Sequence, residues 1–227
     1  RAALEVLNYN GDGYNTAVGY AAGTAVTTGI KNTLIGGLAG DANTTASNNT
    51  AVGYASLGAN TTGTSNVALG AFALDANTTA SNNTAVGRGA LTENTTGTQN
   101  TAIGSFSLDA VTTASNNTAI GYLSGSAVTT GFANTAIGSL AGDALTTGNN
   151  NIAIGSNALG ADTLGDRSVA VGNEALSSQN FTSSTDTYNV AVGYQAGAAA
   201  TTGSQNTMIG GLSGTATTTA NNITSVG

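Results

Sequence analysis

The chain has 227 residues, a net charge of −7 and only 7% charged residues, and it contains no cysteine, histidine, proline or tryptophan. This composition excludes disulfides, Cys–His zinc sites and nucleophiles that depend on a histidine base. Because the four basic residues are scattered, we expect neither a nucleic-acid surface nor a membrane-binding basic patch. No apolar run approaches the roughly 18 residues of a membrane span.

Residues 1–14 fit the pattern of the rest of the chain poorly. They carry Leu4, Val6 and Leu7, which could cover an open end of a repeat array. We predict that this segment caps or leads into the repeats. Because the chain starts at Arg1 and stops at Gly227 inside a repeat, we also expect it to be a piece of a longer polypeptide.

A pentapeptide of the type Asn-Thr-Ala-Val-Gly starts at Asn15 and recurs to the end of the chain. Its glycines are 17 residues apart in eleven of twelve intervals and 21 apart in the interval from Gly172 to Gly193. Such a strict period indicates a solenoid of stacked coils. We predict an all-β, parallel β-solenoid or β-roll of thirteen 17-residue repeats over residues 15–227.

We number each repeat from its asparagine, slot 1, to slot 17, so that the glycine is slot 5. Slot 2 is always β-branched, slot 4 is always aliphatic, and slot 3 is alanine in all but three copies. Since side chains alternate along a strand, we predict that slots 2 and 4 face the core and slot 3 faces outward. The slot-5 glycine would form a corner, followed by a second strand at slots 8 and 9, with a leucine in the core, and a Thr-Thr corner at slots 13 and 14.

The slot-1 asparagines are predicted to stack into a column that runs from Asn15 to Asn151 and resumes at Asn189 and Asn206, with Ser168 as the interruption. Stacked amides form hydrogen bonds along the axis of cross-β assemblies. We expect this column, the slot-4 aliphatic residues and the slot-5 glycines to hold the fold together.

The slot-3 alanines would form an apolar seam along the outside of the solenoid, and an exposed apolar seam usually marks an interface. We therefore expect a homotrimer, intertwined or side by side, with slot 3 near the threefold axis. The alternative is a single-chain solenoid with slot 3 covered by a flanking segment.

One coil is longer than the others. Its four-residue insertion lies within residues 173–189, near Ser177 to Tyr188, and includes Phe181. An insertion in a solenoid is expected to form a surface loop. This loop would be either a contact site or a tolerated variation in length.

No residue set predicts catalysis, and we expect no catalytic, cofactor-binding or metal-binding residue and no enzyme activity. Four aspartates recur every 34 residues: Asp41, Asp75, Asp109 and Asp143. At two coils apart, about 9–10 Å, they are expected to be solvated, with ordinary pKa values, and too distant to share a metal ion. The Asn-x-Thr triplets at Asn43, Asn60, Asn77 and Asn94 are weak candidates for glycosylation.

The segments Asn-Val-Ala-Leu-Gly (66–70), Asn-Ile-Ala-Ile-Gly (151–155) and Asn-Val-Ala-Val-Gly (189–193) resemble the head repeat of trimeric autotransporter adhesins. The longer form, Asn-Thr-Ala-Val-Gly-Tyr followed by Ala-Leu and Asn-Thr-Thr-Gly, is similar to repeats of phage-type tail fibres. The resemblance covers residues 15–227 but departs in period, because 17 exceeds the adhesin-head repeat. It implies a trimeric β-roll at the cell surface, on a virion or elsewhere outside the cell.

The repeats and the resemblance together predict a structural or adhesive fibre segment. It would attach to a receptor on a host cell or matrix, either a protein or a glycan. Two alternatives remain open. The Thr-Thr pairs at slots 13 and 14 could form hydroxyl columns of an ice-binding surface, and open coil ends could stack into a self-assembling filament.

Overall fold

The computed structural model describes residues 2–7 and 12–227, and these residues contain strands and turns but no helix. They divide into two compact units, residues 1–114 and 115–227. The strands of the first unit are β1 (Thr16–Val18), β2 (Thr33–Ile35), β3 (Thr50–Val52), β4 (Val67–Leu69), β5 (Thr84–Val86) and β6 (Thr101–Ile103). Those of the second are β7 (Thr118–Ile120), β8 (Thr135–Ile137), β9 (Ile152–Ile154), β10 (Gly165–Asp166), β11 (Val169–Val171), β12 (Thr185–Asp186), β13 (Val190–Val192), β14 (Thr207–Ile209) and β15 (Thr224–Val226).

Each unit is a parallel β-solenoid. In the first unit β1 to β6 pair in chain order, and each residue lies beside the residue 17 positions later, as Thr50 does beside Val67. The second unit pairs β7, β8, β9, β11, β13, β14 and β15 in this order, with the same offset except between β11 and β13, where Val169 lies beside Val190, 21 positions later. The strands β10 and β12 form a separate pair. The predicted all-β parallel solenoid of 17-residue coils is confirmed, with about twelve coils instead of thirteen. Residues 15–222 make twelve complete coils and residues 223–227 only the first five slots of a thirteenth.

The two faces of the main strand are the reverse of our prediction. Slot 3 faces the core, since Leu34, Ala51 and Ala68 are 0% exposed, while the slot-4 residues Ile35 and Ile103 are 37% and 38% exposed. The alternation was correct, but its phase was wrong by one residue, which exchanges the two faces. Size alone favours burial of the larger aliphatic side chains at slot 4, but the coil interior is too narrow for large side chains on both walls, as the close approach of Leu34 to Gly40 shows.

The core of each coil is filled by a few large side chains that come from different slots. The slot-9 leucines Leu57, Leu74 and Leu91 are fully buried, which confirms their predicted place in the core. Where slot 3 is large, slot 9 is glycine: the Cβ that Gly40 lacks would lie 2.7 Å from Cδ2 of Leu34. Core volume is therefore conserved although the slot that supplies it changes, as close packing requires.

The predicted second strand at slots 8 and 9 is absent from the described coils. Slots 6–11 form consecutive turns instead, with left-handed backbone at slots 7 and 9, as at Phe72 (φ 60°) and Leu74 (φ 52°). Backbone bonds between coils continue through these turns, for example from Leu57 N to Ala73 O at 2.9 Å. The sequence reasoning missed the turns because a non-glycine residue rarely adopts positive φ.

Residues 2–7 take the place of slots 7–12 of a coil. Leu4 has the left-handed backbone of a slot-9 residue, with φ at 52°, and its N–H donates to Ala22 O at 3.1 Å. The remainder of the predicted capping segment includes residues 8–11, which lie outside the described residues.

Candidate functional site

The asparagine column lies in the core and bonds to backbone more than to other amides. Asn49 Oδ1 accepts the N–H of Asn66 at 2.9 Å, and Asn49 Nδ2 donates to Gly63 O at 2.8 Å. Each asparagine thus connects its own coil to the next. Because these amides are almost fully buried, removing one would leave buried backbone groups without partners, at a cost of about 1–3 kcal/mol each.

The outer face of the main sheet is uncharged and partly exposed, with an aliphatic residue at slot 4 of every copy and threonine at slot 2 of most copies. No copy of slots 2–4 contains a charged residue. In the second unit, three strands that pair consecutively carry aliphatic residues at both outward slots: Ile152, Ile154, Val169, Val171, Val190 and Val192. Ile152 and Val192 are each 37% exposed. A continuous apolar surface of this kind typically marks an interaction site.

A stripe of large side chains at slots 6 and 7 borders this face in the first unit. The ring of Tyr54 meets that of Phe72 edge to face, with centroids 5.4 Å apart. The guanidinium of Arg88 lies 5.0 Å from the centroid of the Phe106 ring. These aromatic contacts extend the apolar surface beyond the strands.

The opposite side of each coil is polar, and its threonine pairs do not form a single array. The slot-13 hydroxyl of Thr44 donates to Thr61 O at 3.0 Å, and that of Thr61 donates to Thr78 O at 3.1 Å. The slot-14 residues Thr45 and Thr62 are exposed. The slot-13 hydroxyls therefore use their protons in bonds to the next coil, while the slot-14 threonines remain exposed.

The recurring aspartates are less solvated than we expected. Burial raises the pKa of Asp75 from its ordinary value of 3.8, and repulsion from Asp41 and Glu93 raises this pKa further. A Cβ on Gly58 would lie 2.7 Å from Asp75 Oδ1 and 3.7 Å from Asp41 Oδ1, so the two carboxylates lean toward each other across a glycine. The expectation of ordinary pKa values was wrong, because it ignored the burial of the turns.

Burial also raises the pKa of Asp109 and Asp143. Among residues 2–7 and 12–227, no three acidic side chains are grouped so that they could hold a metal ion.

The Asn-x-Thr asparagines form a second internal column at slot 12, which the sequence analysis missed. Asn60, Asn77 and Asn94 are 0% exposed. Asn77 Nδ2 donates to Asn60 Oδ1 at 2.9 Å, and Asn94 Nδ2 donates to Asn77 Oδ1 at 3.1 Å. Asn43 is equally buried, so none of the four is accessible to glycosylation in the folded chain.

A buried polar cluster supports the long coil, residues 168–188. Asp162, at slot 12 of the preceding coil, is 0% exposed. Gln179 Nε2 donates to Asp162 Oδ2 at 2.6 Å and to Ser168 Oγ at 2.7 Å, while Gln179 Oε1 accepts from Asn189 Nδ2 at 2.8 Å. Gln179 therefore bridges the gap that Ser168 leaves in the asparagine column.

The hydroxyl groups of this cluster have one consistent direction of donation. Thr187 Oγ1 donates to Asp166 O at 2.9 Å, and it lies 2.6 Å from Ser168 Oγ. Since a hydroxyl has only one proton, Ser168 must be the donor in its bond with Thr187. With Gln179 Nε2 donating to Asp162 and Ser168, and Gln179 Oε1 accepting from Asn189, each side chain of the cluster has a hydrogen-bond partner.

We predict that Asp162 makes the second unit less stable at neutral pH than at acidic pH. Burial raises the pKa of Asp162 above its ordinary value of 3.8, against the opposing hydrogen bonds from Gln179, Phe181 and Gly165. Because the pKa of Asp162 is higher in the folded state than in the unfolded state, protonated Asp162 stabilises the folded state. This stabilisation is complete below pH 3.8 and is lost as pH rises through the folded pKa. Urea unfolding of wild type and Asp162→Asn across this range should show a shallower pH dependence for the variant. Parallel curves would contradict the prediction.

A group of interacting side chains lies on the surface where the long coil meets the preceding one. Arg167 pairs with Asp186, the only ion pair within the part of the chain that the structure describes. The Arg167 guanidinium lies 5.8 Å from the centroid of the Tyr188 ring, and Tyr188 Oη donates to Asp186 Oδ2 at 3.3 Å. The predicted insertion thus forms a surface loop, and Phe181 within it is buried.

Among the described residues, no helix is long and apolar enough to span a membrane. No known protein family, curated protein or solved structure matches this chain. The outer sheet face and the long coil are the two surface features that bear on its function.

Proposed function

We propose that this chain is a segment of a structural or adhesive fibre in which three parallel copies pack side by side through the outer faces of their sheets. The observation that carries the proposal is the uncharged outer face, on which slot 4 is aliphatic in every copy while slot 2 is threonine in nine copies and aliphatic in four. Each Å² of apolar surface that such packing buries would stabilise the assembly by about 25 cal/mol. Slot 3 cannot lie at the axis, as first expected, because it is buried within each chain.

A second copy of the same chain is the partner that fits this surface. The outward slots repeat every 17 residues without a charge, so two parallel copies in register bring aliphatic columns against each other along several coils. Coil-to-coil hydrogen bonds run within the chain throughout each unit. This closure supports a side-by-side assembly over an intertwined one.

Attachment is the role that such an assembly would serve outside the cell, on a cell or virion surface. Three chains present each feature of the polar face three times. Multivalent contact raises avidity by about 10²–10⁴ when the geometry allows simultaneous binding. Each unit supplies a stiff support, because within it successive coils are bonded through backbone groups and, at most levels, through an asparagine amide.

We predict that Ile152→Glu dissociates the trimer. Burying three glutamates around one axis costs several kcal/mol through repulsion and desolvation, so association should weaken at least about tenfold. Analytical ultracentrifugation would compare the mass of the wild type, of Ile152→Glu and of Thr147→Glu. Thr147→Glu is a control at an exposed slot-14 position. The wild type and the control should both sediment as trimers. A monomeric wild type would refute the trimer, and large polydisperse species would indicate an end-to-end filament.

Ice binding is the second candidate, and it now concerns the outer face rather than slots 13 and 14. Thr33, Thr50, Thr84 and Thr101 point outward at slot 2 of a regular parallel sheet. A thermal-hysteresis assay separates the two functions. Clear activity in the wild type that is lost in Thr84→Tyr would replace the fibre proposal.

A further inference from the structure

The long coil is the one place where the solenoid departs from its repeat. A strict repeat offers the same side chains at every level, so a partner could bind at any coil. A partner that binds at a single level needs a feature that occurs once. Residues 168–188 provide such a feature, because this coil alone has 21 residues and supports the β10–β12 pair.

The inserted loop is held in place from inside the protein. Phe181 is 7% exposed, its N–H donates to Asp162 Oδ1 at 3.1 Å, and its carbonyl accepts from Thr163 Oγ1 at 3.0 Å. Ser184 Oγ donates to Asp166 Oδ2 at 2.8 Å. A loop that merely tolerates extra length has no need of a buried carboxylate, which is costly to desolvate. The anchoring indicates that the position of this loop matters.

The anchored coil presents a small surface at which an arginine joins an aspartate and a tyrosine. The contact of Tyr188 with Asp186 has a counterpart in that of Tyr14 with Asp12, at 3.2 Å, so it is the ion pair with Arg167 that distinguishes this place among the described residues. Arg167 and Asp186 have side chains that are 46% and 47% exposed, and Tyr188 is 50% exposed. The guanidinium and the carboxylate cancel in charge. The result is an accessible ring with hydrogen-bond donors and acceptors fixed at its edge.

We propose that Arg167, Asp186 and Tyr188 form a contact site for a saccharide. A pyranose ring offers a C–H face that packs on the exposed part of the tyrosine ring, and adjacent hydroxyls that bond to a carboxylate or guanidinium in pairs. An acidic partner would need net positive charge, which this surface lacks, because Arg167 is paired with Asp186 and the carboxylate of Asp166 belongs to the residue beside Asp186 in the β10–β12 pair. The inference rests on the proposed attachment function and names the class of receptor.

The test is binding of the purified full chain to a printed array of neutral and sialylated oligosaccharides. We expect Tyr188→Ala and Asp186→Ala to lose at least about tenfold in affinity, the size of effect typical of a central contact residue. Tyr194→Ala removes a tyrosine that is 56% exposed and lies outside the site, at slot 6 of the following coil. This control should bind like the wild type.

Three results decide the inference. A wild type that forms trimers but binds no saccharide on the array overturns it and leaves the fibre proposal intact. Retention of binding in Tyr188→Ala and Asp186→Ala, with trimer mass and circular dichroism unchanged, also overturns it. Loss in both variants, with the control unaffected and the trimer intact, supports it. A monomeric wild type refutes the fibre proposal itself, whatever the array shows.

Discussion

Gly36→Ala is expected to cause the largest loss of stability of any alanine substitution at a glycine of the β2 coil. Gly36 has φ at 137°, and a Cβ there would lie 2.3 Å from Gly53 O and 2.6 Å from Gly53 C in the next coil. The backbone at Gly53 cannot retreat freely, since its N–H donates to Ile35 O at 2.8 Å. Backbone strain and this clash together should cost about 3 kcal/mol or more.

The neighbouring glycine provides a matched control. A Cβ on Gly37 would meet only the Tyr54 ring, at an ordinary contact distance of 3.5 Å. Gly37→Ala should therefore change the free energy of unfolding by less than about 0.5 kcal/mol. Urea unfolding followed by circular dichroism would compare the two variants. Equal effects at the two positions would show that the stacking of corner glycines does not limit stability.

Leu34→Ala is expected to destabilise the first unit by about 2–5 kcal/mol, as for other fully buried leucines. Leu34 is 0% exposed, and it fills the space that Gly40 leaves empty and also reaches toward Gly23. Removing it opens a cavity between adjacent coils that the rigid backbone ladders prevent from collapsing.

A second substitution should restore much of this loss. Gly40→Leu in the Leu34→Ala background recreates the arrangement of the next coil, where Ala51 occupies slot 3 and Leu57 slot 9. The backbone already suits leucine, because φ is 55° at both Gly40 and Leu57. Gly40→Leu alone should destabilise, since its Cβ would lie 2.7 Å from Leu34 Cδ2. Thermal unfolding of the double variant should recover at least half of the loss; strictly additive effects would refute the compensation.

The repeat itself could be predicted because its physical cause is local. Glycine at slot 5 and β-branched residues at slot 2 recur at a fixed spacing, and parallel stacking in register is the arrangement that satisfies every copy at once. The asparagine column was predicted for the same reason, but its burial and its bonds to backbone groups were not. The raised pKa of Asp75 was not, because it depends on how deeply the turn of Asp75 is buried and on the approach of Asp41, neither of which has a signal in the spacing.

In the long coil, too, one feature could be predicted from the sequence and another could not. Its extra four residues are visible in the interval from Gly172 to Gly193, and a surface loop follows from the length alone. The connection between Asp162 and Gln179 does not, because the two side chains meet only after the coils have stacked. The one signal in the sequence is at slot 12, which is asparagine in several coils but Asp162 and Gln179 in these two.

The sequence by itself determined the 17-residue period, the parallel stacking and the corner glycines, because each depends on residues that recur at fixed positions along the chain. Only the tertiary structure decided which face of the strand is buried. Alternation defines two faces but does not say which one meets the opposite wall, and the narrow interior selects the small slot-3 side chain for it. That choice leaves the aliphatic residues at slot 4 outside, where they create the surface on which the proposed assembly depends.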